Sequence, residues 1–107
     1  MPPNWYDREG RPISMEEWVA LLGDEDYKRV AEDTVGDLWV STIWLGLDTN
    51  WRDDTHPLIF ETMVWTVAGD KIIEGPIRYM TEEAAESGHK YIVRQLKRRN
   101  ELYGGPL

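Results

Sequence analysis

Two histidines are the side chains in this sequence best suited to acid–base chemistry near neutral pH. His56 lies in a polar stretch, and His89 lies in a long segment with helical periodicity. A histidine that acts as a base is usually oriented by a carboxylate within hydrogen-bonding reach. The best candidates are Asp48, at the end of one apolar run, and Glu61, inside another. Asp48, Glu61 and His89 would form a hydrolase site if the fold brought them together.

Both His89 and Glu61 also have a structural interpretation. His89 shares a helical face with Ala85 and Ile92, which places it at the margin of a core. A glutamate in a central strand is costly unless it faces solvent or is paired, and Arg78 is the expected partner across the sheet. The sequence therefore argues against an enzyme without excluding one.

An internal polar site is the other interpretation of Glu61. It would combine Glu61 and Thr62 with Ser41 and Thr42 on the neighbouring strand. A divalent cation is not predicted, because the spacing of the available ligands matches no metal motif and the chain has no cysteine. We expect neither a metal nor a cofactor.

The polar loop 48–56 is the part of the chain most suited to binding. It holds an aromatic side chain, both signs of charge and a histidine between two rigid apolar runs, and loops on a rigid frame often carry function. Trp and Arg are also enriched in binding hot spots. The predicted binding residues, including the two candidates outside the loop, are Asp48, Trp51, Arg52, His56, Glu61 and His89.

The elements that would position these residues form an α+β domain. Residues 38–47 and 58–67 are rich in β-branched and aromatic side chains, which predicts adjacent antiparallel strands. Residues 72–80 predict a strand interrupted at Gly75-Pro76, and 27–35 fit an edge strand better than a helix. Ser14 begins a capping box before a helix over 15–22, and Thr81 precedes a long helix from 82 to about 100.

The predicted fold is a four-stranded antiparallel meander with a short N-terminal helix and a long C-terminal helix. It forms a single domain over 1–107, in which 1–13 is an N-terminal turn or hairpin and 101–107 a loose tail. The runs 38–47 and 58–67 are apolar on both alternating faces. Either the two helices cover opposite faces, or one face is buried in a second copy, which predicts a possible homodimer.

Charge and hydropathy limit the partners. Twenty acids and twelve bases give a net charge of −8, which opposes direct binding to nucleic acid or to an anionic membrane surface. The first residues lack the features of a signal peptide, and no apolar run approaches the ~20 residues of a membrane helix. We expect a cytoplasmic protein.

Two segments carry a family resemblance. Residues 40–48 (VSTIWLGLD) and 57–64 (PLIFETMV) resemble small uncharacterised proteins of actinobacteria and especially of their bacteriophages. The resemblance extends to 10–13 with the helix that follows, and to 78–79, 81–84 and 88–89. Similar sequences often place His directly after the Asp of LGLD, where this chain has Thr49, which weakens an Asp–His site at that position. The resemblance implies an origin, a phage or prophage accessory protein in the bacterial host cytosol, and no activity.

The sequence favours one of three functions. A small acidic accessory protein that binds a host or phage protein agrees best with its size, acidity and weak catalytic signals. A small-molecule binder, for example of a nucleotide-like ligand at the sheet end, is the alternative. A hydrolase that uses Asp48, Glu61 and His89 is the third.

Overall fold

The computed structural model describes residues 4–48 and 57–103 of the chain. Helix α1 spans Met15–Leu22, and the single-turn helix α2 spans Glu25–Lys28. The remaining elements are β1 (Arg29–Val35), β2 (Leu38–Trp44), β3 (Phe60–Thr66), β4 (Ile72–Tyr79) and the long helix α3 (Glu82–Tyr103). None of the helices in these two segments is long and apolar enough to cross a membrane.

The four strands form one antiparallel sheet in the order β1-β2-β3-β4. The predicted α+β meander, with a long C-terminal helix packed on the sheet, is confirmed. Strands β2 and β3 are adjacent as predicted, and they pair from Leu38 opposite Thr66 to Trp44 opposite Phe60. The register between β3 and β4 shifts twice near Gly75, where the sequence predicts an interruption.

The segment 27–35 contains both of the structures between which the sequence was ambiguous. Asp24 caps α2 by accepting a hydrogen bond from the Tyr27 amide, which completes one helical turn. The chain then becomes extended at Arg29 and pairs with β2. The edge strand is confirmed for 29–35, whereas the turn of helix before it was not predicted.

The element limits differ from the predicted ones by a few residues. Strand β2 ends at Trp44, two residues before Gly46, whose φ of +69° leaves the extended region. Strand β3 begins at Phe60, and α3 continues to Tyr103 instead of ending near Asn100.

The two faces of the sheet have different surroundings. The inner face carries Leu38, Val40, Thr42 and Trp44 of β2, all buried, and α3 packs across it. Side chains of α1 and α2 join the same apolar cluster as Trp44. Of the two alternatives, the one in which the helices cover opposite faces is therefore wrong for the described residues, because all three helices contribute to the core on the inner side.

The outer face is only half-buried. We use this name for the surface formed by the side chains of alternate residues that point away from α3, which are Arg29, Glu32, Thr34, Trp39, Ser41, Ile43, Glu61, Met63, Trp65, Ile72 and Arg78. Its aromatic and aliphatic members belong to neither core cluster. Helix α2 borders one corner of it through Glu25 and Lys28.

The core consists of two apolar clusters. One joins β1, β2 and β3 to the middle of α3, and its buried members are Val35, Leu38, Val40, Val64, Ile92 and Val93. The other lies at the opposite end of the inner face, and its buried members are Tyr6, Trp44, Ile59, Phe60 and Ala85. Between them lie three buried polar side chains, Thr42, Thr62 and His89.

Helix α3 approaches the sheet closely at Gly88. A Cβ atom built there would overlap the ring of Tyr79 on β4. The Tyr79 hydroxyl is buried and has no hydrogen-bond partner among the described residues. The ring therefore occupies the space that a side chain at position 88 would need.

We predict that Gly88→Ala lowers the free energy of unfolding by about 1–3 kcal/mol, because the new methyl group overpacks against Tyr79. In an open helix the same change stabilises by about 0.5–1 kcal/mol, so the sign of the effect is diagnostic. Ser87→Ala, on the exposed side of the same turn, is the control. Urea denaturation measures both, and a stabilised Gly88→Ala protein would contradict the close approach.

Candidate functional site

Three of the predicted binding residues, Trp51, Arg52 and His56, lie outside the described residues. Asp48 lies at the end of the described chain after β2, where its backbone amide donates to the carbonyl of Asn4 at 2.9 Å. This contact places Asp48 beside the N-terminal turn. The roles assigned to these four residues stay predictions.

Glu61 lies on the outer face, directly opposite Arg78 of β4. Its Oε2 atom is 3.6 Å from Nε of Arg78, and only 16% of its side chain is exposed. Because Glu61 points away from α3, the structure does not bring it together with His89. Its contacts are those of the structural interpretation, a cross-strand ion pair.

His89 lies at the centre of a chain of hydrogen bonds that is buried except at one end. We call it the polar relay, and it consists of Asp33, Thr42, Thr62 and His89. The Nε2 atom of His89 is 2.7 Å from Oδ2 of Asp33 on β1. On the other side of the ring, Nδ1 is 2.7 Å from Oγ1 of Thr42, which is 2.5 Å from Oγ1 of Thr62. The relay connects α3 to three strands of the sheet.

The tautomer of His89 with its proton on Nε2 is one that satisfies every pair of atoms in the polar relay. The Thr62 hydroxyl donates to Thr42, the Thr42 hydroxyl donates to Nδ1 of His89, and Nε2–H donates to the Asp33 carboxylate. All donors then point the same way, toward the charged end. Such chains of hydrogen bonds strengthen one another in a low-dielectric interior.

The relay has the residue types of a nucleophile, a base and an orienting acid. In a working site the nucleophilic oxygen must reach a substrate. Thr42 and Thr62 are completely buried, and His89 is 2% exposed. Only the Asp33 end, with 49% of its side chain exposed, reaches solvent. In the described structure the relay therefore serves to pair buried polar groups and to attach α3 to the sheet.

Asp33, the partner of His89, was not predicted from the sequence, for which Asp48 and Glu61 were the candidate carboxylates. The missed signal is the alternation along β1, in which Ala31, Asp33 and Val35 share the inner face. The proposed internal polar site is correct for Thr42 and Thr62. It is not correct for Ser41 and Glu61, because both lie on the outer face.

A second cluster of charges lies at the end of the sheet where β2 ends and β3 begins. Arg8 donates from Nε to Oε1 of Glu82 at 2.6 Å and from Nη1 to the carbonyl of Tyr27 at 2.9 Å. The Tyr27 hydroxyl in turn accepts from the Arg8 amide at 2.9 Å. The hydrogen bond from Arg8 to Glu82 raises the pKa of the Arg8 guanidinium, and burial raises the pKa of Tyr27. Arg8 thus joins the N-terminal turn to α2 and to the first turn of α3.

A hollow of about 560 Å³ opens beside Arg8. We call it the sheet-end hollow, and it is lined by Arg8, Glu9, Gly10, Pro57, Met80, Thr81 and Glu82. Its apolar lining comes from Pro57 and from Met80, which is 43% exposed. Pro57 is also the first described residue after the loop that the sequence singled out for binding.

Neither location offers a metal site within the described residues. Across 4–48 and 57–103, no three His, Asp or Glu side chains lie close enough together to hold a metal ion. Comparison of the chain with protein-family models, with curated proteins and with solved structures gives no match in any of the three.

The polar relay predicts unequal effects for its two threonines. Thr42→Val keeps the shape of the side chain but leaves both Thr62 and Nδ1 of His89 unpaired, so we expect a loss of about 2–3 kcal/mol of unfolding free energy. Thr62→Val removes only the last hydrogen bond of the relay and should lower the free energy of unfolding by about 1 kcal/mol. Urea denaturation is the measurement, with Ser41→Ala on the outer face as the control. Equal effects of the two valines would contradict the relay.

The pKa of Asp7 determines how the stability of the N-terminal turn depends on pH. Burial alone would raise the pKa of Asp7, but hydrogen bonds from the backbone and side chain of Arg11 and from the Glu9 amide hold that pKa below its usual value of 3.8. An acid with a lowered pKa stabilises the folded chain above its unfolded-state pKa, and this contribution is lost as the pH falls through the folded-state pKa.

We therefore expect Asp7→Asn to lower the melting temperature at neutral pH, and we expect the difference from the natural chain to shrink below about pH 4. Thermal unfolding followed by circular dichroism at several pH values is the measurement. A difference that stays constant down to the lowest pH would show that the charge of Asp7 does not hold the turn.

Proposed function

We propose that the chain is a non-enzymatic accessory protein that binds another protein, of host or phage, through the sheet-end hollow. The observation that supports this proposal most directly is that the side chain of Arg8 is already hydrogen-bonded within the protein. Its guanidinium, the one cation among the described lining residues, is engaged by Glu82 and by the Tyr27 carbonyl. What the hollow offers to a ligand is therefore an apolar floor and the carboxylates of Glu9 and Glu82, each of which also contacts an arginine.

This lining supports a protein segment that combines an aliphatic side chain with a basic one. The aliphatic group would lie against Met80 and Pro57. The basic group would face Glu9, whose side chain is 64% exposed although its Oε2 atom lies 3.6 Å from Nη2 of Arg11. The net charge of −8 would attract such a partner over distance. The acidic character of the chain then has a function in addition to solubility.

The same lining argues against the nucleotide-like ligand that the sequence left as an alternative. Phosphates are bound by free Arg or Lys side chains or by backbone amides at a helix start. Arg8 is already paired, and Glu82 stands at the start of α3. A phosphate in the hollow would therefore find no unpaired cation among the described lining residues. The proposal of a hydrolase is weakened as well, since the hydroxyls of the polar relay are buried.

Affinity capture from bacterial host lysate, followed by quantitative mass spectrometry, tests the proposal. We expect Met80→Arg, which fills the floor of the hollow and adds a like charge to that of the partner, to lose the proteins that the natural chain retains. Val67→Arg, at a position 58% exposed beyond the other end of β3, is the matched control and should retain them. Retention should also weaken as salt is added, since exposed charges are screened.

Two outcomes would contradict the proposal. One is an identical set of captured proteins for the natural chain and for Met80→Arg, when circular dichroism shows that both are folded. The other is a purified chain that carries a nucleotide, seen as ultraviolet absorbance of a base and identified by mass spectrometry. That result would support the small-molecule alternative.

A further inference from the structure

We propose that the outer face is the contact surface between two copies of this chain, which pack sheet against sheet. The proposal does not rest on the sheet-end hollow, because the two surfaces share no residue. It does develop the homodimer expected from the sequence by naming the face that is buried. Four observations support a second copy as the occupant.

The first observation is the composition of the outer face. Trp39 lies directly opposite Trp65, and Trp65 lies opposite Ile72 on the next strand. Met63 and Ile43 extend this apolar area along the two central strands, and Ile72 is 54% exposed. In antiparallel sheets with one solvated face, that face is usually polar. An apolar area of this kind on a monomer indicates an interaction surface.

The second observation is the charge of the outer face. Arg29 lies 3.7 Å from Glu32 on this face and 3.2 Å from Asp26 beside it, and Arg78 lies 3.6 Å from Glu61. The two bases and two acids of the face therefore cancel within one copy. The whole chain has a net charge of −8. Two copies therefore repel each other least at this neutral surface, and its burial leaves no charge without a partner. A strongly charged partner would find nothing to pair with here.

The third observation is that both edges of the sheet are unsuited to self-pairing. Pro76 lies within edge strand β4 and lacks an amide hydrogen, and the pairing of β4 is irregular nearby. Edge strand β1 carries a run of charged side chains, among them Arg29, Glu32 and Asp33. Extension of the sheet by a second copy is thus disfavoured at each edge, which leaves the face.

The fourth observation is the size of the outer face. Strands lie about 4.8 Å apart and rise about 3.3 Å per residue, so four strands of about seven residues present a flat footprint of about 440 Å². The accessible area of pleated side chains exceeds the flat footprint. Two such flat faces amount to about 880 Å², and the pleated side chains raise the buried area to about 1,000 Å², the lower limit for a specific interface.

Analytical ultracentrifugation of the full chain, from low to high micromolar concentration, is the first test. We expect a dimer of twice 12.5 kDa. In Met63→Lys the dissociation constant of this dimer should rise roughly tenfold or more, because a charge then enters the apolar centre of the interface. Tyr91→Lys, at a position 57% exposed on α3, is the matched control and should dimerise like the natural chain.

Crosslinking locates the interface independently of Met63. Since the chain has no cysteine, Ser41→Cys introduces a single thiol next to Met63 on the outer face, and a short bismaleimide should join two copies through it. Val19→Cys, 56% exposed on α1, should not be joined. A natural chain that stays monomeric at high micromolar concentration would overturn the proposal.

Two further results would overturn it as well. One is a folded Met63→Lys protein that dimerises normally. The other is crosslinking through Val19→Cys but not through Ser41→Cys. If Met63→Lys does not fold, crosslinking of the conservative Ser41→Cys variant decides whether the outer face is the interface. Met80→Arg should leave the dimer intact, so a failure of this proposal and a failure of the binding proposal can be told apart.

Discussion

The buried hydrogen bonds of the polar relay are the constraint on which the arrangement of this fold depends. A hydroxyl or an imidazole in a dry core costs free energy unless it is paired, and here three such groups lie between two apolar clusters. Thr42 and Thr62 are opposite each other only in the observed register of β2 and β3. His89 reaches both Thr42 and Asp33 only when α3 lies at one height along the sheet.

This constraint distinguishes the relay from the apolar packing around it. Ile92 and Val93 of α3 could pack against Val40 and Val64 after a small slide of the helix, since apolar contacts have little directional preference. The hydrogen bonds of His89 could not survive that slide. The apolar clusters thus supply most of the driving force, and the relay selects one alignment. At the sheet end Arg8 does the same for the N-terminal turn, because its guanidinium contacts both the first turn of α3 and the end of α2.

Much of the fold could be predicted from local patterns in the sequence. The β-type runs around 38–47 and 58–67 identified the central strands, and the Ser14 capping box identified α1, whose cap accepts from the Glu17 amide as expected. The helical turn α2 was missed because four residues are too few to show a period. The partner of His89 was missed because Asp33 is 56 residues away from it in the chain, and no local pattern encodes such a contact.

The sequence also could not show which face of the sheet is covered. Trp39 and Trp44 are the same residue type on the same strand, yet Trp44 is completely buried on the inner face, whereas Trp39 is half-buried on the outer face. The placement of the helices makes this difference, and it depends on contacts distant in sequence. The site residues in the loop 48–56 were chosen for their chemistry alone, and three of them lie outside the described residues.

The two proposed surfaces have complementary consequences. The outer face is neutral, so the excess of acids belongs to the rest of the chain, including Glu9 and Glu82 of the sheet-end hollow. A dimer formed through the outer face would leave both hollows open, since none of their lining residues belongs to that face. Two linked sites bind a repetitive partner more tightly than either alone, because the second binding event becomes intramolecular. Partners with repeated basic segments would then be favoured over partners with one, and dissociation of the dimer would weaken their binding without any change at the hollow itself.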